Sequence, residues 1–297
     1  MRSQVTLRTF AEMKAAGEPI VMVTAYDYPT ARVAEEAGVD MVLVGDSGAQ
    51  VVLGHSSTVG VTVDEMIVLA AAVRRGVRTA FVVCDLPFGS TEVSDEQAVA
   101  TAIRFVHEAG ADAVKLEGGG EARLSRIRAI VDAGIPVVAH VGLTPQTAVA
   151  LGGLRAQGRT VESAARFARE ALAVEQAGAS LLVIEAVPAD VVDAVVPAIG
   201  IPVIGIGAGR ADGQVLVMHD LLGITQGKVA TFVKQYATIG PDMVAGVAAY
   251  AAEVRSGAFP ATEHGYAAST DAVAAARAEV GAARSRIGAG ARAIETM

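Results

Sequence analysis

The stretch DMVLVGDS, residues 40–47, is an unbroken apolar run, rich in valine, that stops at an acid. A strand without polar alternation must be buried on both faces, the mark of a parallel sheet clad in helices. Six more runs share this form: VMVTAYD (21–27), AFVVCDLP (80–87), DAVKLEGG (112–119), PVVAHVG (136–142), LLVIEAVP (181–188) and PVIGIGAG (202–209). Spacings of about 20 to 45 residues leave room for one crossover helix each, so the repeating unit is βα. A weaker eighth run, Asp220–Ile224, completes the set. Eight such units predict an α/β fold, a closed (β/α)8 TIM barrel of about 250 residues with its active site at the C-terminal strand ends. Those ends carry Asp27, Asp46, Asp85, Glu117, His140 and Glu185, which are expected to converge on one mouth.

Length would allow two domains, but barrels of this kind run as one. Residues 1–265 are therefore read as a single catalytic domain, and 266–297 as an Ala/Arg-rich tail, either helical or disordered. The formal net charge of −8, with no basic block before the tail, argues against a nucleic-acid surface. The single cysteine, Cys84, cannot form an intrachain disulfide, which fits a reducing, cytoplasmic setting. No signal peptide and no membrane span are expected, since no apolar run approaches about 18 residues. Low charge and helices rich in small residues leave apolar faces that favour a homo-oligomer.

Ahead of the first strand, Thr9-Phe10-Ala11-Glu12 reads as a capping box that opens a short helix, with Thr9 as N-cap. That helix could plug the lower end of the barrel. Crossover helices are expected at 28–37, 63–75, 95–109, 122–133, 161–177 and 189–198. Several close on one phrase, Glu36-Ala37-Gly38, Glu108-Ala109-Gly110, Asp132-Ala133-Gly134 and Gln176-Ala177-Gly178, in which glycine supplies a left-handed turn. Two loops, Ser47–Thr62 and Gly142–Arg159, are long enough to be binding loops or lids.

The strand-end acids Asp46, Asp85 and Glu117 belong to three consecutive strands, which lie about 4.8 Å apart. Three carboxylates at such spacing repel one another unless a cation sits among them. An all-oxygen donor set suits Mg²⁺, and the alternative is that each acid caps the helix that follows it. Lys115 lies two residues before Glu117, on the same face of its strand, and if that face is interior it needs an anionic partner. Glu185, an acid among apolar residues, is a candidate general base. His140 is equally open to a structural role. Gly205-Ile206-Gly207-Ala208-Gly209 is not a dinucleotide fingerprint, because it follows the seventh strand rather than the first, and it reads as pocket wall.

TAYDYPTA, VGDS, GHSST, TVDEM, VKLEGG, HVGLTPQ, AQGR, LLVIEAVP, VIGIGAG and DGQVLVMHD, in this order between residues 24 and 220, closely resemble the ketopantoate hydroxymethyltransferase family. The resemblance implies a barrel of the phosphoenolpyruvate mutase/isocitrate lyase-like type. It also implies transfer of a hydroxymethyl group from 5,10-methylenetetrahydrofolate to 3-methyl-2-oxobutanoate, giving 2-dehydropantoate for pantothenate and coenzyme A synthesis. By resemblance, Asp46 and Asp85 bind Mg²⁺ directly and Glu117 completes its shell through water. Asp46, Ser47, Asp85 and Lys115 hold the 2-oxo acid, with His140 beside them, and Glu185 is the proton acceptor. The family assembles as a decamer, a pentamer of dimers. Departures from its usual pattern lie in loops: Ser56 where an aspartate is usual, Gly60 for a proline, Leu154 for a tyrosine, a short 210–213 turn, and Ala230-Thr231 for Pro-Lys. The remaining alternatives are the same transfer on another 2-oxo acid and a sibling carbon–carbon lyase or mutase. A lyase-like cysteine motif is absent, since the only cysteine lies in a strand.

Overall fold

The computed structural model describes residues 2–294, with side chains up to residue 284. Eight parallel strands close into a barrel in sequence order: β1 (Ile20–Thr24), β2 (Met41–Val44), β3 (Phe81–Asp85), β4 (Ala113–Glu117), β5 (Val137–Gly142), β6 (Leu181–Glu185), β7 (Val203–Ile206) and β8 (Gly213–Leu216). The helices are α1 (Leu7–Ala16), α2 (Tyr28–Glu36), α3 (Gly48–Val51), α4 (Val63–Gly76), α5 (Asp95–Ala109), α6 (Glu121–Asp132), α7 (Val161–Gln176), α8 (Ala189–Val195), α9 (Met218–Leu221), α10 (Ile239–Ser256) and α11 (Thr270–Ile294). The chain divides into two compact units between Gly240 and Pro241, ahead of the 265/266 boundary expected. No described helix is long and apolar enough to cross a membrane.

Alternation along each strand splits the apolar residues into two cores. Val42, Val44, Val82, Cys84, Val114 and Leu116 face outward onto the helices. Met41, Leu43, Phe81, Val83, Ala113, Val138, Leu181 and Val183 fill the barrel interior. Phe10 of α1, fully buried, meets Phe81 edge to face at 5.4 Å, so α1 plugs the lower end as expected. Its N-cap is Thr6 rather than Thr9. Thr9 is the N3 residue, and its hydroxyl accepts the Thr6 N–H at 3.1 Å. Glu12 pairs with Arg8 instead, at 2.7 Å. The upstream box wins because Val5 is already anchored, its N–H donating to the Thr79 carbonyl at 2.8 Å.

The eighth strand is Gly213–Leu216, not Asp220–Ile224, most of which lies in α9 and the turn after it. The eighth strand is short and begins with Gly213, so close to Ile20 that a Cβ would overlap the Ile20 carbonyl oxygen. The helix expected at 189–198 ends at Val195 and tightens into a 3₁₀ turn at Pro197, which cannot donate to the α ladder. The four closing glycines, Gly38, Gly110, Gly134 and Gly178, have φ of 75°, 71°, 84° and 98°, the left-handed conformation that only glycine adopts without cost.

At the lower rim, an acid precedes each of β2, β4 and β8 and accepts a backbone N–H from a neighbouring strand. Asp40 takes Val21, Asp112 takes Val82 and Asp212 takes Val203, each at 2.8 Å. Each acid is also paired with a cation: Arg2 with Asp40, Arg74 with Asp112 at 3.0 Å, and Lys14 with Asp212 at 2.6 Å.

In the second unit, α10 buries none of its residues. Phe259 packs its ring against Tyr250 and His264. The tail forms α11 as far as Ile294, and residues 295–297 lie outside the described residues.

Candidate active site

The interior alternation that places Val83, Ala113, Val138 and Val183 inside the barrel also turns the residues two places on, Asp85, Lys115, His140 and Glu185, inward at its upper end. Strand register sets them side by side: Asp85 is opposite Lys115, Glu117 opposite His140, and Glu185 opposite Gly142. Gly142 (φ 94°) has no room for a Cβ, which would collide with the Glu185 carbonyl oxygen. Ala186, just after Glu185, is the one non-glycine residue with positive φ (49°) among those described. Such strain is held only where surroundings over-determine it. Here the Ala186 N–H donates to Ile206 O at 2.9 Å, and its carbonyl accepts the Gln157 N–H at 2.9 Å.

Asp46, Asp85, Lys115, Glu117 and His140 are each 2–5% exposed. The Lys115 ammonium lies 2.8 Å from Asp85 Oδ1 and 3.3 Å from His140 Nδ1. His140 spans the two glutamates, with Nδ1 3.6 Å from Glu117 Oε1 and Nε2 3.4 Å from Glu185 Oε2. Burial and the Lys115 charge work against a charged imidazole, but Glu117 and Glu185 overcome both and raise its pKa to about 9. Burial likewise opposes the Lys115 ammonium, and Asp85, Glu117 and Asp46 outweigh it and hold its pKa above the usual lysine value. Asp46 is pushed up to about 8, by burial first and then by Asp85 and Glu117. Glu117 is lowered despite burial, through His140, Lys115 and the Gln146 N–H.

Five of the six strand-end groups line one cavity of about 830 Å³, together with Lys115 and Ser47. Asp27 is not among them. It caps α2, accepting the Thr30 N–H at 2.8 Å, which is the helix-capping alternative. Both long loops contribute to the wall, through Ser47, Gln50 and Ser56–Thr58 on one side and Leu143–Arg159 positions on the other. Gly207 also lines it, with the Phe232 ring lying against its backbone.

Gln146 was not singled out in the sequence. Its backbone N–H donates to Glu117 Oε2 at 3.0 Å, and its amide donates to Asp46 Oδ2 and to Leu86 O, both at 2.9 Å. It thus ties the loop after β5 to two of the three acids. Gln146→Leu should leave the buried Leu86 carbonyl and an Asp46 oxygen unpaired, at a cost of about 1–3 kcal/mol. The Tm should fall by roughly 2–12 °C, at 2–4 °C per kcal/mol for a chain of this size, and thermal unfolding followed by circular dichroism reads it.

Among the described residues, no three His, Cys, Asp or Glu side chains gather into a closed metal cage. The pair that could hold a cation is Asp46 and Asp85. Asp85 Oδ1 is buried with the Lys115 ammonium against it at 2.8 Å, and burial, then Asp85 and Glu117, work against a charge on Asp46. An oxygen-only, two-carboxylate set with open positions suits Mg²⁺, which keeps waters and substrate oxygens in its shell.

The barrel fold resembles that of enzymes of the PEP mutase/isocitrate lyase superfamily. 2,3-Dimethylmalate lyase of that superfamily superposes with a TM-score of 0.57 at 17% identity, over 86% of this chain and 89% of its own. A phosphonopyruvate hydrolase in complex with oxalate and Mg²⁺ superposes at 0.55 and 15% identity, over 88% and 93%. Residues 4–262 match the family model for ketopantoate hydroxymethyltransferase. The 3-methyl-2-oxobutanoate hydroxymethyltransferases of Moorella thermoacetica and Geobacillus kaustophilus are each 53% identical to the chain. The first match covers 89% of this chain and 98% of that protein, the second 86% and 91%. The chain belongs to the ketopantoate hydroxymethyltransferase family, and it is an enzyme of the transferase class.

Proposed function

We propose that this enzyme transfers the one-carbon unit of 5,10-methylenetetrahydrofolate to C3 of 3-methyl-2-oxobutanoate, consuming one water and giving 2-dehydropantoate and tetrahydrofolate. The observation that carries the reading is Glu185. It ends β6 on the cavity wall, with its side chain 16% exposed and the rest of the cluster buried beneath it. Glu185 removes the C3 proton, and His140, charged at neutral pH, fixes the carboxylate from its far side. Lys115, pinned by Asp85, stabilises the negative charge that develops on the keto oxygen. Ser47, whose Oγ lies 2.8 Å from the Tyr26 hydroxyl, orients the substrate carboxylate through its own hydroxyl. Asp46 and Asp85 would hold Mg²⁺, with Glu117 reaching it through water. Bound there, the metal supplies Lewis acidity toward the 2-oxo acid. Magnesium in the oxalate complex of phosphonopyruvate hydrolase supports this choice of ion.

Cys84 is fully buried on the outward face of β3, and burial, with Asp85 and Asp112 adding to it, raises its thiol pKa. It is therefore unfit for acid–base work of a lyase kind. The exposed Met243, Val244, Val247 and Tyr250 of α10 support a homo-oligomer, for which we keep the decamer.

The test is tetrahydrofolate formation across a panel of 2-oxo acids. Ser56 and Leu154, which replace the family's usual aspartate and tyrosine, both line the cavity. They make its wall less polar, by one carboxylate and one aromatic hydroxyl. The longer 3-methyl-2-oxopentanoate is expected to be used, at a kcat/KM within about 10- to 200-fold of the five-carbon acid, the discrimination one methylene allows. Turnover of neither acid, with turnover of another, would replace the substrate.

A further inference from the structure

The cavity is larger than a five-carbon oxo acid requires. Its volume of about 830 Å³ lies in the range of pockets that enclose drug-sized ligands, about 300–1,000 Å³. Its buried floor carries the acids, Lys115 and His140, whereas three exposed cations, Arg155, Arg159 and Lys228, line its outer part. They come from two separate segments, the loop after β5 and the chain after α9. None of these three side chains has an ion-pair or hydrogen-bond partner among the described residues. Arg32, Arg104, Arg123, Arg126 and Arg128 on the barrel's helices are all paired with acids. In a chain of net charge −8, three cations without partners at one part of a cavity whose acids lie on its buried floor leave charge free for an anion. Asp220 also lines the cavity but is engaged by the Thr225 hydroxyl at 2.6 Å. The cavity's apolar wall, with Phe232 and Pro188, offers a face for flat rings.

We propose that Arg155, Arg159 and Lys228 form the subsite for the glutamyl carboxylates of the tetrahydrofolate co-substrate, whose rings lie along Phe232 and Pro188. The proposal rests on the hydroxymethyl-transfer reading above. Guanidinium groups match carboxylates in a two-pronged geometry, and an ammonium adds a point charge. Each exposed pair contributes little alone, so the subsite works through several contacts and favours a tail with more than one glutamate.

The experiment compares the mono- and triglutamate forms of 5,10-methylenetetrahydrofolate as donors. Wild type should show a lower KM for the triglutamate. In Arg155→Gln, Arg159→Gln and Lys228→Gln, KM for the triglutamate should rise by roughly 1.5- to 5-fold per charge removed at low salt. The triple variant should lose the chain-length preference. KM for the oxo acid, and the folate-free exchange of its C3 hydrogen, serve as internal references, and Arg155→Lys should restore most of the effect. Equal rises in both KM values, or a triple variant that keeps its triglutamate preference, would overturn the subsite. A wild type indifferent to tail length would also remove it while leaving the transfer reading intact. A wild type that exchanges the C3 hydrogen yet takes no carbon from any methylenetetrahydrofolate would overturn the transfer reading itself, and the subsite with it.

Discussion

Glu185→Gln is expected to slow exchange of the substrate's C3 hydrogen with solvent deuterium by about 10²-fold or more, while the 2-oxo acid still binds. The amide keeps the shape of the side chain and can still accept a hydrogen bond from His140 Nε2, now 3.4 Å from Glu185 Oε2, but it cannot take up a proton. Exchange needs no folate, so proton NMR of the oxo acid in heavy water isolates this step from carbon transfer. His140 is the nearest substitute base. With its pKa raised to about 9 by the two glutamates, against burial and Lys115, it is already protonated at neutral pH. Exchange at the wild-type rate in Glu185→Gln would therefore require a base outside this cluster and would end the assignment.

Asp85→Asn should reduce turnover by about 10²–10³-fold or more and abolish calorimetrically detected Mg²⁺ binding. Asparagine is the informative substitution because Asp85 serves three neighbours. Its Oδ2 accepts the Asp46 N–H at 3.0 Å, its Oδ1 faces Lys115 at 2.8 Å, and it is proposed to hold the metal. Alanine would leave a buried ammonium unpaired, and breaking a buried pair in this way costs about 3–5 kcal/mol. A loss of activity in Asp85→Ala would then mix unfolding with chemistry. The asparagine fills the same volume and keeps an acceptor for the Asp46 N–H, but its NH2 then faces the Lys115 ammonium, so the Tm of the variant is measured beside its turnover to separate folding from chemistry. Normal turnover at limiting Mg²⁺ would sink the ligand assignment.

Seven strands were legible because a strand buried on both faces has no room for polar residues except where it ends. The same property marked Asp46, Asp85, Glu117, His140 and Glu185, since an acid or imidazole at the end of an apolar run has few reasons to be there. The eighth strand escaped because Gly213 and the exposed Gln214 dilute its four residues, while the apolar Asp220–Ile224 segment turns helical. Asp27 has the same spelling as the others but its neighbour Thr30 completes a capping box, and that local bond decides where it points. Gln146 was invisible to a search for charge. An amide does not titrate, and its three bonds, to Glu117, Asp46 and Leu86, exist only once β3, β4 and β5 and the chain after β2 are adjacent.

The ring of Asp40, Asp112 and Asp212 at the lower rim touches no part of the cavity, yet it ties neighbouring strands together and to Arg2, Arg74 and Lys14. Lesions at the two ends of the barrel should therefore differ as alleles. A change in the lower ring lowers the number of folded molecules and leaves each survivor fully competent, so growth at lower temperature or a stronger promoter restores the phenotype. Glu185→Gln at the upper end, which leaves the buried Lys115–Asp85 pair intact, should leave abundance untouched and make every molecule slow, and no gene dosage within reach compensates for a hundredfold loss.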